Sequence, residues 1–422
     1  MNINTFRAFR SRNYRLYFTG QSISLIGTWM QRTTVYWLIY TQTHSAFMLG
    51  LIVFAAQFPS FLLSPLGGVI SDRYNRYRVM LVTQVASLLQ AVALVVVIMF
   101  THYALWEIFA LSVILGTINA FDVPARQAMV NEIIKHKEDL PNAIALNSSM
   151  VNIARLIGPA ISGIILEKMG AGTCFLINAL SFIVVIVCLL LMTFPNYIPQ
   201  KHTKKVIHEF KEGWVYLKNT PAIGLVILLI ASISITVLPF TTLLPVFAKV
   251  IFKGNAATFG YLNSAIGFGA VIGTVFLASI KSGVNLKKIL FFSILILGVG
   301  LIIFSHITSF YVALVFATLS GFGMMTQTTV SNTIIQTSVS QEMRGRIISY
   351  FAMAYFGMLP LGGLLIGIVS QFIGAPNTIL AEGIVAILIA FVFLPYLKKD
   401  VLKEKDKITL LELEDPTVTT TQ

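Results

Sequence analysis

The stretch 67–78, Gly67-Gly68-Val69-Ile70-Ser71-Asp72-Arg73-Tyr74-Asn75-Arg76-Tyr77-Arg78, sets one acid and three arginines between two long runs that are otherwise uncharged. Charge concentrated in this way reads as a tight loop joining two membrane helices. Gly67 and Gly68 would let helix backbones approach closely, as small residues do between membrane helices. The arginines mark the loop as cytoplasmic, because short loops on that side hold the excess of Lys and Arg. A merely solvated basic loop would explain the arginines but not the glycine-to-aspartate spacing.

Composition agrees. The 422 residues are 56% hydrophobic and 11% charged, far from the quarter or so charged that a soluble domain carries. This is an integral membrane protein in contact with the lipid bilayer. Its net charge of +13 would suggest nucleic acid in a soluble chain. Here the basic residues cluster in short segments between apolar runs of about 20 residues, so they set topology and imply no nucleic-acid partner. Cys174 and Cys188 fall within one span, about 21 Å apart at the helical rise, too far for a disulfide with each other. Arg7, Arg10, Arg12 and Arg15 precede the first apolar run with no small-residue cleavage site, so residues 1–14 read as a retained cytoplasmic arm.

Apolar spans fall at about 15–40, 47–71, 79–101, 104–130, 142–167 and 172–194, then at 222–248, 257–280, 287–306, 309–335, 345–371 and 376–397. The pattern predicts an all-α polytopic fold of twelve transmembrane helices in two groups of six, residues 15–194 and 222–397. With the N-terminus inside, 25 Lys and Arg fall on the cytoplasmic side and only Lys168, Lys249 and Lys253 on the other, Arg32 and Arg155 lying within spans. Bias this lopsided predicts both termini in the cytoplasm.

The two groups read as diverged copies. Residues 141–163 (PNAIALNSSMVNIARLIGPAISG) sit over 342–364 (EMRGRIISYFAMAYFGMLPLGGL), with Pro159 over Pro360. Ser45 through Gly50 likewise sits over Asn255 through Gly260, and Arg78 over Lys288. Such weak repeats are expected of a transporter built from two halves. Ser282 and Gly283 stand where the first copy has Asp72 and Arg73, so the acidic device exists once. Between the copies, residues 195–221 form a polar linker, expected to carry an amphipathic helix with Val206, Phe210, Trp214 and Leu217 on one face at the membrane surface. Residues 398–422 read as a charged, disordered cytoplasmic tail.

Polar residues inside spans are the candidates for transport. In GQSISLIGTWMQRTTVYWLIY (residues 20–40), Gln21, Ser24, Thr28, Gln31 and Arg32 share about a third of the helix circumference, a stripe expected to face water. An arginine at this depth is costly unless it meets a cavity or a partner, which makes Arg32 a candidate contact for an anionic substrate; snorkelling to the outer surface is the alternative. In the fourth span Asn119, Asp122 and Arg126 share one face, and Asp122 and Arg126 are within pairing reach. Pro124 between them removes a backbone donor. An acid held by an arginine keeps its charge, and takes a proton once the pair opens into apolar surroundings. That device would couple protons to a conformational change; a static ion pair joining helices is the equal alternative.

The fifth span places Ser148, Asn152, Arg155, Pro159 and Ser162 on one face. In the second half Thr326, Thr329, Thr333 and Gln336 make a neutral polar face on the tenth span, so the cavity would be positive toward the first half and neutral toward the second. Glu382, in the last span, is an acid with no partner nearby in sequence and a further candidate proton site. Trp29, Tyr36, Trp37, Tyr350, Tyr355 and Phe356 would line a pocket for planar ligands, or serve as core and interfacial belt.

The spacing Gly68-x-x-x-Asp72-Arg73-x-x-Arg76-x-Arg78 resembles the signature loop between helices two and three of major facilitator superfamily transporters. Gly158-Pro159-x-x-Ser162-Gly163 resembles the fifth-helix motif of proton-coupled exporters in that superfamily, with Ser162 in place of a glycine, so export is implied. Ser11-Arg12-Asn13-Tyr14-Arg15, Gly27-Thr28-Trp29-Met30-Gln31, Asp122-x-Pro124-Ala125-Arg126 and Arg344-Gly345-Arg346 resemble the enterobactin-exporter and macrolide-efflux branch. The resemblance implies that Asp72 caps the eleventh helix near Gly345 and pairs with Arg126 when the cytoplasmic side closes, a placement the helix dipole favours.

The expectation is a monomeric secondary transporter that exports an amphipathic small molecule, siderophore or drug, by alternating access with protons as coupling ion. A lipid or lysophospholipid flippase or importer on the same fold, and a non-transporting sensor or scaffold, are the alternatives. With no nucleotide-binding glycine loop, no metal-ligand cluster among six histidines and no nucleophile beside a base, neither an enzyme nor a cofactor is expected.

Overall fold

The computed structural model describes residues 4–134, 136–193, 206–280 and 283–398, and every regular element among them is helical. Six long helices come first: α1 (Arg12–Thr43), α2 (Ala46–Arg73), α3 (Arg76–Phe100), α4 (Leu105–Ile133), α5 (Leu140–Met169) and α6 (Ala171–Leu190). A short α7 (Val206–Asn219) follows, then α8 (Pro221–Ile251), α9 (Ala256–Ala278), α10 (Leu286–His306), α11 (Phe310–Ser338), α12 (Arg344–Ile373) and α13 (Ala375–Lys398).

Tight turns between helices follow from local caps. The Ser45 hydroxyl accepts from the Met48 N–H and the Asn75 side chain accepts from the Arg78 N–H, satisfying donors that a helix start leaves open. Two helices depart from regular winding. After Thr236, α8 passes through a 3-10 turn at Leu238–Leu243 and a π turn at Phe247–Ile251, because Pro239 and Pro245 cannot donate. In α12 a π segment covers Met353–Gly357.

Among the described residues eleven helices are long and apolar enough to cross a membrane. The twelfth span, α1, is long enough at 32 residues but more polar than these. Its polar groups turn inward: Gln21, Ser24, Gln31, Thr33 and Thr34 are buried, and Thr28, Thr33 and Thr34 donate to carbonyls one turn back. A span can carry such residues when protein or its own backbone satisfies them.

Helices α1–α6 make one bundle and α8–α13 the other. The second has one continuous core that includes Leu229, Ile233, Phe247, Phe259, Leu297 and Phe304. The first has two cores, around Tyr14, Tyr17, Met80 and Met129 toward one end and around Ile39, Ile52, Leu94 and Phe175 toward the other. Buried polar side chains join helices in this bundle: Gln31 donates to Gln90 (3.1 Å), Asn178 donates to Gln31 (2.6 Å), and Gln90 donates to the Leu111 carbonyl (3.1 Å).

The bundles meet along two glycine seams, α5 against α9 and α2 against α12. A Cβ on Gly163 would stand 2.7 Å from the Ala256 carbonyl oxygen, and one on Gly50 would stand 3.1 Å from Cα of Gly367. Trp37 stacks on Phe259 across the gap at 5.9 Å. The caps of α2 and α9 finish the seams alike, Gln371 donating to Ser45 and Asn255 to Glu167. These contacts gather at the end that carries the α1–α2 turn. Toward the opposite end the seams run as far as Phe61 against Gly357 and Leu156 against Gly267. Beyond them, a Cβ on Gly68 or Gly345 would meet nothing within 4 Å.

Helix α7 belongs with the second bundle. Glu212 pairs with Arg346 at 2.5 Å, Gly213 passes under the Tyr350 ring, and Leu217 enters the core. Of the apolar face expected there, the side chains of Val206 and Phe210 lie outside the described residues. Leu217 is buried, while Trp214 is exposed with Lys218 at 5.8 Å over its ring.

Candidate substrate site at the seam between the halves

Gly158 of α5 decides how α1 and α5 come together. A Cβ there would stand 2.6 Å from Cβ of Trp29, so glycine is what lets the indole lie against α5. Two guanidiniums share that indole: Arg32 at 5.2 Å from its centroid and Arg155 at 5.3 Å. The sum of those distances, 10.5 Å, is the greatest separation the two charges can have. Arg32 also donates from Nε to the Tyr36 hydroxyl at 2.9 Å. Arg155 Nε is buried without a hydrogen-bond partner. From the second half, Tyr355 stands close enough to interact electrostatically with Arg155, its ring stacked parallel to Phe351 at 6.3 Å. Neither arginine has an ion-pair partner among the described residues. The structure therefore gathers Arg32, Arg155, Trp29 and Tyr355, residues expected to serve a cavity, and leaves two positive charges uncompensated.

Asp122 and Arg126 do pair, at 3.6 Å between Oδ2 and Nε, but inside the first bundle. Asp122 is buried and its Oδ1 accepts from Thr83 (2.9 Å) and Gln84 (2.7 Å) of α3. Arg126 donates to Gln21 of α1 at 3.4 Å. The polar stripe of α1 thus divides: Gln21 meets Arg126 and Gln31 meets Gln90 and Asn178, while Thr28 and Arg32 are half-buried. Asn119 is half-buried and Asn152 buried. Sequence reasoning passed over Thr83, Gln84, Gln90 and Asn178; polar residues inside apolar spans α3 and α6 were the available signal.

In the loop 67–78, Gly67 and not Gly68 makes the close approach, its Cβ position falling on the Ala120 carbonyl of α4. Arg76 pairs with Glu132 of α4 at 2.8 Å and donates to the Ser71 carbonyl. Arg73 and Arg78 are exposed. The side chain of Asp72 lies outside the described residues. Gly345, in the first turn of α12, is exposed.

The Gly158, Pro159, Gly163 motif packs on two sides, Gly158 against α1 and the Pro159 carbonyl and Gly163 against Gly260 of α9. In the second half Thr329 is half-buried, and Gln336 is exposed and donates to Asn332 at 3.2 Å. Thr326 is buried beside Gly273 with no partner for its hydroxyl. Glu382 is buried, 2% exposed, with neither carboxyl oxygen hydrogen-bonded.

The family model of transmembrane secretion effectors matches residues 3–421. The chain belongs to this family of major facilitator superfamily transporters. Among similar proteins, the staphyloferrin A transporter of Staphylococcus aureus is 29% identical over 388 residues, covering 90% of this chain and 95% of that one. Macrolide efflux protein A of Streptococcus pyogenes is 22% identical, covering 90% and 96%. The enterobactin exporter of Escherichia coli is 24% identical, covering 79% of each. Solved structures with this fold include a POT family transporter bound to a thioalcohol-conjugated peptide (TM-score 0.74, 14% identity, 92% of this chain and 97% of that one). A D-xylose-proton symporter is similar too (TM-score 0.70, 13% identity, 93% and 96%). The transporter fold of two six-helix bundles expected from the sequence is the one found.

Proposed function

We propose that this transporter exports an amphipathic, anionic small molecule, a siderophore or a drug-like compound, across the bacterial inner membrane by proton-coupled antiport. Its similarity to a staphyloferrin A transporter, an enterobactin exporter and a macrolide efflux protein supports the cargo class. The observation that carries the reading is the pair Arg32 and Arg155 on one indole, two charges with no acid paired to them among the described residues. In a membrane interior such charges need a partner, and an anionic cargo with a flat ring or conjugated carboxylate supplies it while stacking on Trp29 or Tyr355.

The surplus of Lys and Arg supports an orientation with the open end and both termini in the cytoplasm. On that orientation the conformation receives cargo from inside. Rocking of the bundles about the two glycine seams would then open the opposite side, with the loop at Asp72 closing on the start of α12 near Gly345. Asp122 with Arg126, and Glu382, are the groups proposed to take up the driving proton.

The test is uptake of radiolabelled siderophores and fluorescent drugs into inverted membrane vesicles under an imposed pH gradient, native chain against Asp122→Asn. Accumulation that needs the gradient and fails in the variant supports proton-driven export through Asp122. Equal accumulation in both clears Asp122 and leaves Glu382, whereas no accumulation of any compound overturns the export reading.

A further inference from the structure

Helices α9 and α10 both lean on α11, and between them runs a cleft floored by Phe322 and Thr326 of α11. Its volume is about 420 Å3 where Phe276, Lys288 and Phe292 line it. It continues into a second groove of about 520 Å3 that shares Phe292, Ile296 and Phe322 and reaches Gly300. Phe276, Phe292, Val299 and Leu319 are exposed along this path, so it opens on the outer, lipid-facing side of the second bundle. From Lys288 to Gly300 the path covers twelve residues of α10, about 18 Å at the helical rise, close to half the hydrocarbon thickness of a bilayer. That is the depth of one leaflet.

Four polar side chains interrupt an otherwise apolar lining: Asn285 is engaged as the cap of α10, accepting from the Lys287 and Lys288 N–H groups, and Ser293 donates to the Leu290 carbonyl, which leaves Lys288 and Thr326. Lys288 is exposed at the mouth, at the end of the molecule that holds Arg76 and Arg78. Thr326 lines the cleft floor; its hydroxyl, beside Gly273 of α9, is fully buried and has no hydrogen-bond partner. Gly323 packs against Ser293 and Leu297, and α11 runs antiparallel to α10, so Thr326 lies roughly one turn, about 5 Å, inside Lys288. A cation at headgroup level, a hydroxyl donor one turn deeper and an apolar track one leaflet long match, in order, the phosphate, the ester carbonyl and the acyl chain of a glycerophospholipid. Among the described residues, the side chains around the cleft include no carboxylate to compete for Lys288.

We propose that this cleft is a binding site for one anionic diacyl phospholipid. Its phosphate sits on Lys288, one ester carbonyl accepts from Thr326 Oγ1, and an acyl chain lies along Phe292, Ile296 and Phe322. The site is independent of the central seam and of whatever the protein carries.

Native mass spectrometry of the full chain, released from detergent containing equimolar phosphatidylglycerol and phosphatidylcholine, tests it. Expected is one retained phosphatidylglycerol per chain with at least fivefold preference over phosphatidylcholine. Lys288→Gln, a surface change, should bring that preference close to unity. Thr326→Val should cut retention about threefold, and Ile296→Trp, which fills the track, should abolish it. Equal retention of the two lipids by the native chain, an unchanged preference in Lys288→Gln, or full retention in Ile296→Trp would each overturn the proposal.

Discussion

Gly163 and Gly260 touch backbone to backbone: a Cβ on either would stand 3.1–3.2 Å from the other's Cα. Gly50 and Gly367 repeat the relationship on the opposite side of the molecule, at 3.0–3.1 Å. Gly50 and Gly260 occupy equivalent places in the two sequence copies, so each half lends its second helix to the same joint.

Replacing Gly260 by valine therefore forces the bundles apart, since its Cβ position falls on the Pro159 carbonyl. Overpacking of this kind costs about 1–3 kcal/mol. Thermal unfolding in detergent should show a lower Tm, and maleimide labelling of a cysteine placed at Ser45 should rise as the joint loosens. A Tm equal to the native one would mean that the seam yields.

Arg155→Ala and Arg32→Ala each remove one of the two charges on Trp29. Each should raise the KM for an anionic cargo about tenfold or more while leaving neutral drugs nearly unaffected. Trp29→Leu should weaken both arginine placements at once, and combined with Arg155→Ala should cost less than the sum of the two single changes. Strict additivity would show that the indole does not organise the pair.

Asp122 accepts two side-chain hydrogen bonds besides its arginine. Asp122→Asn keeps the shape but loses the charge-assisted bonds, about 1–3 kcal/mol of stability. A Tm drop of several degrees with gradient-driven transport intact would make the pair a brace between α3, α4 and α1, and would remove it from the proton path.

Glu382 offers the reverse case, a sealed carboxyl without a hydrogen-bond partner. Glu382→Met exchanges it for an apolar chain of similar volume and should stabilise the protein by about 1–3 kcal/mol. A higher Tm with loss of transport would identify a group kept for function at the expense of stability. A lower Tm would show that the carboxyl stabilises the fold.

Much of the architecture was legible because membrane helices announce themselves by length and hydropathy, and the arginine-rich loop fixed where α2 ends. Boundaries ran wider than the apolar runs: α1 starts at Arg12 on a Ser11 cap, since backbone hydrogen bonding does not stop where hydrocarbon does. Arg32 and Arg155 stood out as charges in spans. Their meeting on Trp29 did not, because it depends on the missing Cβ of Gly158 more than a hundred residues away. The inward side of α1 was misleading for a similar reason. Gln31 looks like a cavity residue on a helical wheel, yet its partners Gln90 and Asn178 sit on helices whose rotation no local pattern reveals. Helix α7 was foreseen as amphipathic, but its attachment rests on Arg346 and Tyr350 of α12, and pairing across that distance has no periodic signature.

The polarity of α1 bears on biogenesis. When α1 leaves the ribosome it is too polar to partition into lipid by hydropathy, and its buried glutamines Gln21 and Gln31 find their partners on α3, α4 and α6, which follow it. Charged and amide side chains near a helix centre disfavour insertion of a lone span. The first helix must therefore wait at the translocon, or enter as a hairpin with apolar α2 through the turn at His44. A nascent chain arrested just after α1 should remain extractable by alkali, and one arrested after α6 should not.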